Sequence, residues 1–387
     1  MRIVYVIDSL ASKGGAERIL TDKMNYMAGQ WGWEVHVVTC YQDPSRCPNV
    51  YELSDLVRQT DLQIPYHSQY RYRYPQRLLV KWRIYRTVCR KLTETVQQID
   101  PDVLVGLGYF QADVVTGIRC RAMKVVESHE ARIFTMGDQG LSRSWLSRLY
   151  MRYYKQRYFR TVEKQADVVV TLTQGDAREW RKARQVVVIP NFTVMPVKQD
   201  IDADTSASAP RKRVIAVGRL EWQKGFDRLI DAWAMIAKDH PQWQLDIFGS
   251  GTMESVLNDR IAQKGIRIAI HPFTKNIAGE YAASSIFALS SRFEGFGLVL
   301  LEAMQHGVPC VVFDCPFGPS DVVVDGACGF VVPDGDVSAF ANRLACLMDD
   351  EALRQQFAAA AKERVKHYSV GKVMARWKEL LEQQPKN

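Results

Sequence analysis

Short runs of apolar residues alternating with helical patterns constrain this chain more than any other feature. In the first half, residues 3–7, 34–39, 102–107, 124–127, 167–172 and 186–189 read as strands, and helical patterns lie between several of them. The alternation begins again after residue 210, with strands ending at Gly218, starting at Leu245, and lying at 286–289 and 311–313. No internal repeat of the sequence accompanies it. Strands separated by helices build parallel sheets, so the expected fold class is α/β. In such sheets ligands bind beyond the carboxyl ends of the strands.

The most informative strand-to-helix turn is S-S-R-F-E-G-F-G-L-V-L-L-E-A-M-Q-H-G, Ser290 to Gly307. Leu298, Leu300, Leu301 and Met304 fall at helical spacing. Gly295 and Gly297 let the backbone approach a ligand, and the N–H groups of Phe296, Gly297 and Leu298 at the helix start suit phosphate or hydroxyl oxygens. Glu294 and Glu302 lie eight apart, close to two turns of roughly 3.6 residues, so both carboxylates can face one cleft. A carboxylate accepts two sugar hydroxyls at once. Two such groups flanking an anion-binding helix start point to a nucleotide-sugar site; the plainer alternative is an amphipathic helix with solvated glutamates.

Glu294 and Glu302 match the E-x7-E motif of retaining glycosyltransferases, and E-G-F-G-L-V-x-L-E-A-M is nearly the full family form. On these residues the chain resembles glycosyltransferase family 4. The resemblance implies the GT-B fold: two Rossmann-like parallel-sheet domains facing across a cleft, with a C-terminal helix returning to the first. It covers nearly the whole chain, most strongly over 214–333 and most weakly over 41–100, where acceptor specificity usually resides.

The length of 387 residues suits two domains. Residues 1–197 are expected to form the acceptor domain and 213–368 the donor domain. The polar stretch 198–212 reads as the linker between them, and 369–387 as the returning helix. With 47% hydrophobic and 24% charged residues the composition is that of a soluble globular protein. No run approaches the roughly 18 apolar residues of a membrane span. M-R-I-V-Y-V-I-D is too short an apolar run for a signal peptide, so a cytoplasmic location is expected. The 8 cysteines show no CxxC pair or metal-like spacing, and buried thiols are expected rather than disulfides or a structural metal.

Further pieces match the family along the chain. Gly14 and Gly15 lie between the first strand and its helix, and the resemblance puts G-G-A-E-R across the cleft from the donor. His129, in Ser128-His129-Glu130 after a strand, stands where the family places a histidine that hydrogen-bonds the donor sugar. T-L-T-Q-G-D puts Asp176 near the cleft, and Ile189-Pro190-Asn191 reads as the crossing between lobes. In G-R-L-E-W-Q-K-G, Arg219 and Lys224 could hold a diphosphate, and the family uses an Arg and a Lys there for that purpose. Gly249, Gly251 and Phe273 lie in loops that frame the nucleotide base in the family. C-P-F-G-P-S-D, Cys315 to Asp321, resembles a subset that builds bacterial surface polysaccharides from UDP-linked hexoses or N-acetylhexosamines.

The implied activity is transfer of such a sugar from UDP to a hydroxyl of a glycan acceptor. Glu294, His129, Arg219 and Lys224 would act at the reacting centre, with Glu302 on the ribose. No cofactor is expected, and no essential divalent metal, because the two cations Arg219 and Lys224 would replace it. Charge is uneven: residues 1–200 carry 30 Lys+Arg against 20 Asp+Glu, the remainder 21 against 23. Two acid-free stretches, 70–91 with eight basic residues and 143–160 with six, interleave them with aromatic side chains. Such helices suit an anionic membrane surface and hence a lipid-linked acceptor. Solvated helix faces are the plainer alternative, and nucleic acid is not expected as a partner. Rival functions are a UDP-sugar epimerase of the same fold and a non-enzymatic basic binding protein. Oligomeric state is left open.

Overall fold

The computed structural model describes residues 1–12, 14–42, 47–73, 76–129, 145–193 and 212–383. It divides into two compact units, Met1–Ile189 with Trp377–Asn387, and Pro190–Arg376. The expected linker at 198–212 lies outside the described residues except for Lys212.

The first unit holds seven parallel strands: β1 (Arg2–Ile7), β2 (Glu34–Thr39), β3 (Val57–Asp61), β4 (Val103–Leu107), β5 (Met123–Ser128), β6 (Val168–Thr171) and β7 (Val186–Val188). Their order is β3-β2-β1-β4-β5-β6-β7. The central strands are buried on both faces because helices cover them. Val88, Leu92 and Val96 of the helix Gln76–Ile99 pack with Val4, Val6 and Leu104. Phe159 and Val162 of the helix Trp145–Gln165 pack with Val126 and Val169.

The second unit repeats the plan with six parallel strands: β8 (Arg213–Val217), β9 (Gln244–Phe248), β10 (Ile268–His271), β11 (Ile286–Leu289), β12 (Cys310–Asp314) and β13 (Gly329–Pro333), in the order β10-β9-β8-β11-β12-β13. Its core joins the apolar stripe of the helix Phe226–Ile236, led by the fully buried Trp233, to Leu245, Ile247, Val311 and Phe313. Both sheets run outward in opposite directions from a central pair, β1/β4 and β8/β11. At that reversal, helices on either side diverge and leave a crevice at the strands' carboxyl ends. Two Rossmann-like parallel sheets of this kind are the architecture expected from the sequence.

The final helix, Val370–Glu382, runs from the second unit into the first. From Trp377 onward its residues belong to the first unit, where Trp377, Leu380 and Leu381 are buried.

Candidate active site

In the second unit, the expected site residues gather at the β8/β11 reversal. Gly218 closes β8, and the stem of Lys224 runs across it: a Cβ on Gly218 would sit 3.3 Å from Lys224 Cδ. Lys224 Nζ donates to Glu294 Oε1 at 2.7 Å. The hydroxyl of Ser291 donates to the same oxygen at 2.6 Å, and both partners are buried. The Ser290 hydroxyl donates to the Lys224 carbonyl at 3.1 Å.

Further bonds lace the Lys224 turn to the Glu294 turn. Arg292 N donates to the Gln223 carbonyl and Gln223 Nε2 to the Phe293 carbonyl. Arg292 also forms a fork on Asp227, at 2.8 and 2.6 Å, with its guanidinium over the Trp222 ring. Burial alone would raise the Asp227 carboxyl, yet the fork holds it below its ordinary value. Lys224 and Glu294 are thus positioned by backbone on both sides.

The helix Leu298–Gln305 starts at Gly297, whose φ of +84° turns the chain into it. Its first N–H groups have no intrahelical acceptor. Phe296, beneath this start, is buried and meets the Tyr368 ring edge-on. Gly318 of the C-P-F-G-P-S-D loop lies against it so closely that a Cβ would fall 2.8 Å from the Phe296 carbonyl oxygen. Two turns along, Glu302 accepts a hydrogen bond from the buried Tyr281 hydroxyl at 3.1 Å. Glu294 and Glu302 are both buried, each accepts from a different hydroxyl, and Lys224 adds a cation to Glu294.

The remaining donor-side residues lie on adjacent strand ends. Gly249 approaches β8 so closely that a Cβ would be 1.9 Å from the Gly218 carbonyl oxygen, and one on Gly251 would be 2.5 Å from that of Leu220. Phe273, just past β10, is 56% exposed. Gly295 lies beside Glu294 in the turn. Arg219 is exposed; among the described residues its guanidinium has no hydrogen bond or ion pair. It acts on Glu221, whose carboxyl is lowered first by hydrogen bonds from Thr252 and then by Arg219.

The first unit's expected residues also lie at strand carboxyl ends. Gly14 caps the helix Gly15–Trp31 after β1, with Arg18 N bonded to the Gly14 carbonyl. His129 follows β5, its Nε2 3.0 Å from Glu127 Oε2. Asp176 is buried and accepts from the Ser128 hydroxyl at 2.7 Å; Thr173 caps its short helix. Glu130 lies outside the described residues.

Ser291, Tyr281, Glu127 and Lys23 were not assigned roles from the sequence. The first three have a weak signal or none: a serine three residues before Glu294, a tyrosine in a helix, a glutamate at a strand end. Lys23 offered none, since a helical lysine normally reads as solvated.

Two family models match consecutive parts of the chain, Glycosyltransferase Family 4 over residues 13–193 and Glycosyl transferases group 1 over residues 197–364. The chain belongs to glycosyltransferase family 4. An uncharacterized glycosyltransferase of Haemophilus influenzae is 25% identical to this family 4 member, over 98% of this chain and 99% of its own. The amylovoran biosynthesis glycosyltransferase AmsD of Erwinia amylovora is 32% identical over 56% of this chain and 62% of its own. Among solved structures, sucrose-phosphate synthase of Thermosynechococcus elongatus superposes with a TM-score of 0.81 at 20% identity, covering 99% of this chain and 98% of that one. Anabaena HepE in complex with UDP-glucose gives 0.73 at 19% identity, covering 99% and 100%. These structural likenesses concern the family 4 fold.

Proposed function

We propose that this glycosyltransferase is a retaining enzyme that moves a hexose or N-acetylhexosamine from a UDP-sugar to a hydroxyl of a lipid-linked glycan in surface-polysaccharide synthesis. The observation that carries the reading is the Lys224–Glu294 pair at the β8/β11 reversal, beside an open helix start. A cation and a helix N-terminus at one strand end suit a diphosphate, and a buried carboxylate beside them suits sugar hydroxyls. The Anabaena complex with UDP-glucose and the amylovoran relative support the donor and the pathway class.

In the proposed reaction the acceptor oxygen attacks the anomeric carbon on the face from which UDP departs. The new glycosidic bond forms as the bond to the β-phosphate oxygen breaks, and that phosphate takes the acceptor's proton. Catalysis is then positioning and charge stabilisation. Arg219, Lys224 and the helix start offset the leaving charge; Glu294 and His129 hold the sugar, and Glu302 the ribose. Gly249, Gly251 and Phe273 border the base, and Gly14 and Gly15 belong to the loop facing acceptor and phosphates. Arg219 and Lys224 stand in for a divalent cation, so activity is expected to survive EDTA; loss restored by magnesium would refute that part.

The lipid-linked acceptor rests on the helix Gln76–Ile99. In the N-terminal half of this helix, Leu79 and Trp82 are exposed among the exposed Lys81, Arg83 and Arg86, with Arg86 over the Trp82 ring. Most side chains of the second basic stretch, 143–160, lie outside the described residues. Cosedimentation with anionic but not zwitterionic vesicles, weakened in Trp82→Ala, is the expected result. Glycosylation of free soluble sugars alone would refute the lipid link.

The deciding experiment is thermal stabilisation by UDP, GDP, ADP and their sugars, for wild type and Glu302→Ala. A ligand bound only by the folded state adds about 2.7 kcal/mol at a hundredfold excess over its Kd. A shift with UDP and one UDP-sugar, lost in Glu302→Ala, is expected. No shift with any nucleotide would overturn the reading.

A further inference from the structure

A buried line of charge in the first unit ends on His129. Lys23, on the helix Gly15–Trp31, is 1% exposed, and its Nζ donates to both oxygens of Glu127 at the end of β5, at 2.5 and 2.6 Å. The ammonium also lies 4.2 Å from the Trp377 ring centroid and 5.0 Å from that of Tyr5. His129 Nε2 sits 3.0 Å from Glu127 Oε2, the oxygen it shares with Lys23. Burial opposes the charge on Glu127, yet Lys23 and His129 together hold its carboxyl below the ordinary value.

An ionised carboxylate only accepts hydrogen bonds. Nε2 of His129 must therefore carry its hydrogen whether the ring is neutral or charged. Among the described residues, Nδ1 has no hydrogen bond. In the neutral ring it is an acceptor, and the group it meets must be a donor such as a hydroxyl.

We propose that Glu127, anchored by Lys23, is a positioning residue that commits His129 Nε2 and reserves Nδ1 to accept a hydrogen bond from a hydroxyl of the donor sugar. The proposal rests on the reading of His129 as a sugar contact. It deepens that reading: the sugar must carry a free hydroxyl where the ring meets it, since an acceptor built for a hydroxyl rejects the deoxy analogue.

The test has two readouts. With nitrogen-15 histidine in the full chain, only seven ring systems contribute, and His129 is identified by its loss in His129→Gln. At the alkaline end of its titration the ring is expected wholly in the Nε2–H form. In the double variant Lys23→Met/Glu127→Leu, which leaves no buried charge unpaired, both tautomers are expected. A wild-type ring in the Nδ1–H form, or a ring unchanged in the double variant, would overturn the proposal.

The second readout is donor kcat/KM. The double variant is expected to lower it by up to about a hundredfold, the scale for loss of positioning. In a His129→Gln background the same exchange should add no further loss. An additive loss would mean that the pair acts on the fold and not through His129. If His129→Gln left donor binding and turnover unchanged, the sugar-contact reading would fail, and this proposal with it. A locked ring would distinguish that outcome from failure of the positioning alone.

Discussion

Replacing Gly225 by alanine tests whether backbone packing holds Lys224 against Glu294. Gly225 joins the turn Trp222–Lys224 to the helix Phe226–Ile236 with φ +62°. A Cβ there would lie 2.1 Å from the Ser290 carbonyl oxygen, where real Cβ atoms stay beyond 3.0 Å, so the two segments must part by roughly 0.9 Å. Left-handed backbone costs a non-glycine residue roughly 1–2 kcal/mol, and overpacking a further 1–3 kcal/mol. Gly265 supplies the control: its φ is also +62°, but a Cβ there meets nothing within 4 Å. Gly265→Ala should therefore show the backbone cost alone, about 1–2 kcal/mol, with turnover unchanged.

Lys224 precedes Gly225 in the chain and Ser290 precedes Ser291, so the separation falls on the Lys224–Glu294–Ser291 contact. A displacement near 1 Å can cost about a hundredfold in rate. Urea unfolding of the second unit and sugar transfer at saturating donor would be measured on both variants. Gly225→Ala should lose about 2–5 kcal/mol, combining both terms, and about two decades of turnover. Equal behaviour of the two variants would refute the argument, because it would leave only the shared backbone strain.

Other expectations follow from single features. Glu127→Leu alone should destabilise by about 3–5 kcal/mol by stranding the Lys23 ammonium, whereas Lys23→Met/Glu127→Leu should be near neutral, as read by urea midpoints. Tyr281→Phe should weaken UDP stabilisation by removing the hydroxyl on Glu302 without unfolding the protein, since it keeps the buried ring. Hydrogen bonds from Arg2, then His36, hold the Glu34 carboxyl down to about 2. A depressed carboxylate stabilises above its unfolded value near 4.3 and loses that contribution as pH falls through the folded one. Glu34→Gln should therefore flatten acid unfolding between about pH 4 and 2. Cys47 is exposed, while burial pushes Cys40 up to about 12 and Cys310 well above its ordinary value. Mass spectrometry after brief alkylation should find Cys47 modified and those two protected.

The sheets were legible because most strands are buried on both faces and written as branched apolar runs. β3 was not: in V-R-Q-T-D only Val57 is buried, as suits an edge strand with little apolar signal. The Glu294 and Glu302 positions were legible because a strand end and one helix fix their spacing locally. Their partners Lys224 and Tyr281 come from other elements, and only Lys224 belonged to a local pattern. Lys23 and Glu127 are 104 residues apart, and no periodicity joins a helix face to a strand end at that distance. Lys23 does share the side of its helix that buries Leu20, Met24 and Met27, but a lysine there reads as solvated unless its buried acid is already known.

The placement of Trp377 bears on how the protein is made. The first unit needs a residue that leaves the ribosome long after Ile189, because Trp377 closes over the ammonium that holds β5 to its neighbouring helix. The second unit, Pro190–Arg376, is complete in one uninterrupted segment. Domains ordinarily fold in the order of their synthesis; here the part translated first is finished last. Until then it exposes the apolar seat of Trp377, Leu380 and Leu381, so a transcript cut short before this helix yields a chain for chaperones and proteases rather than half an enzyme.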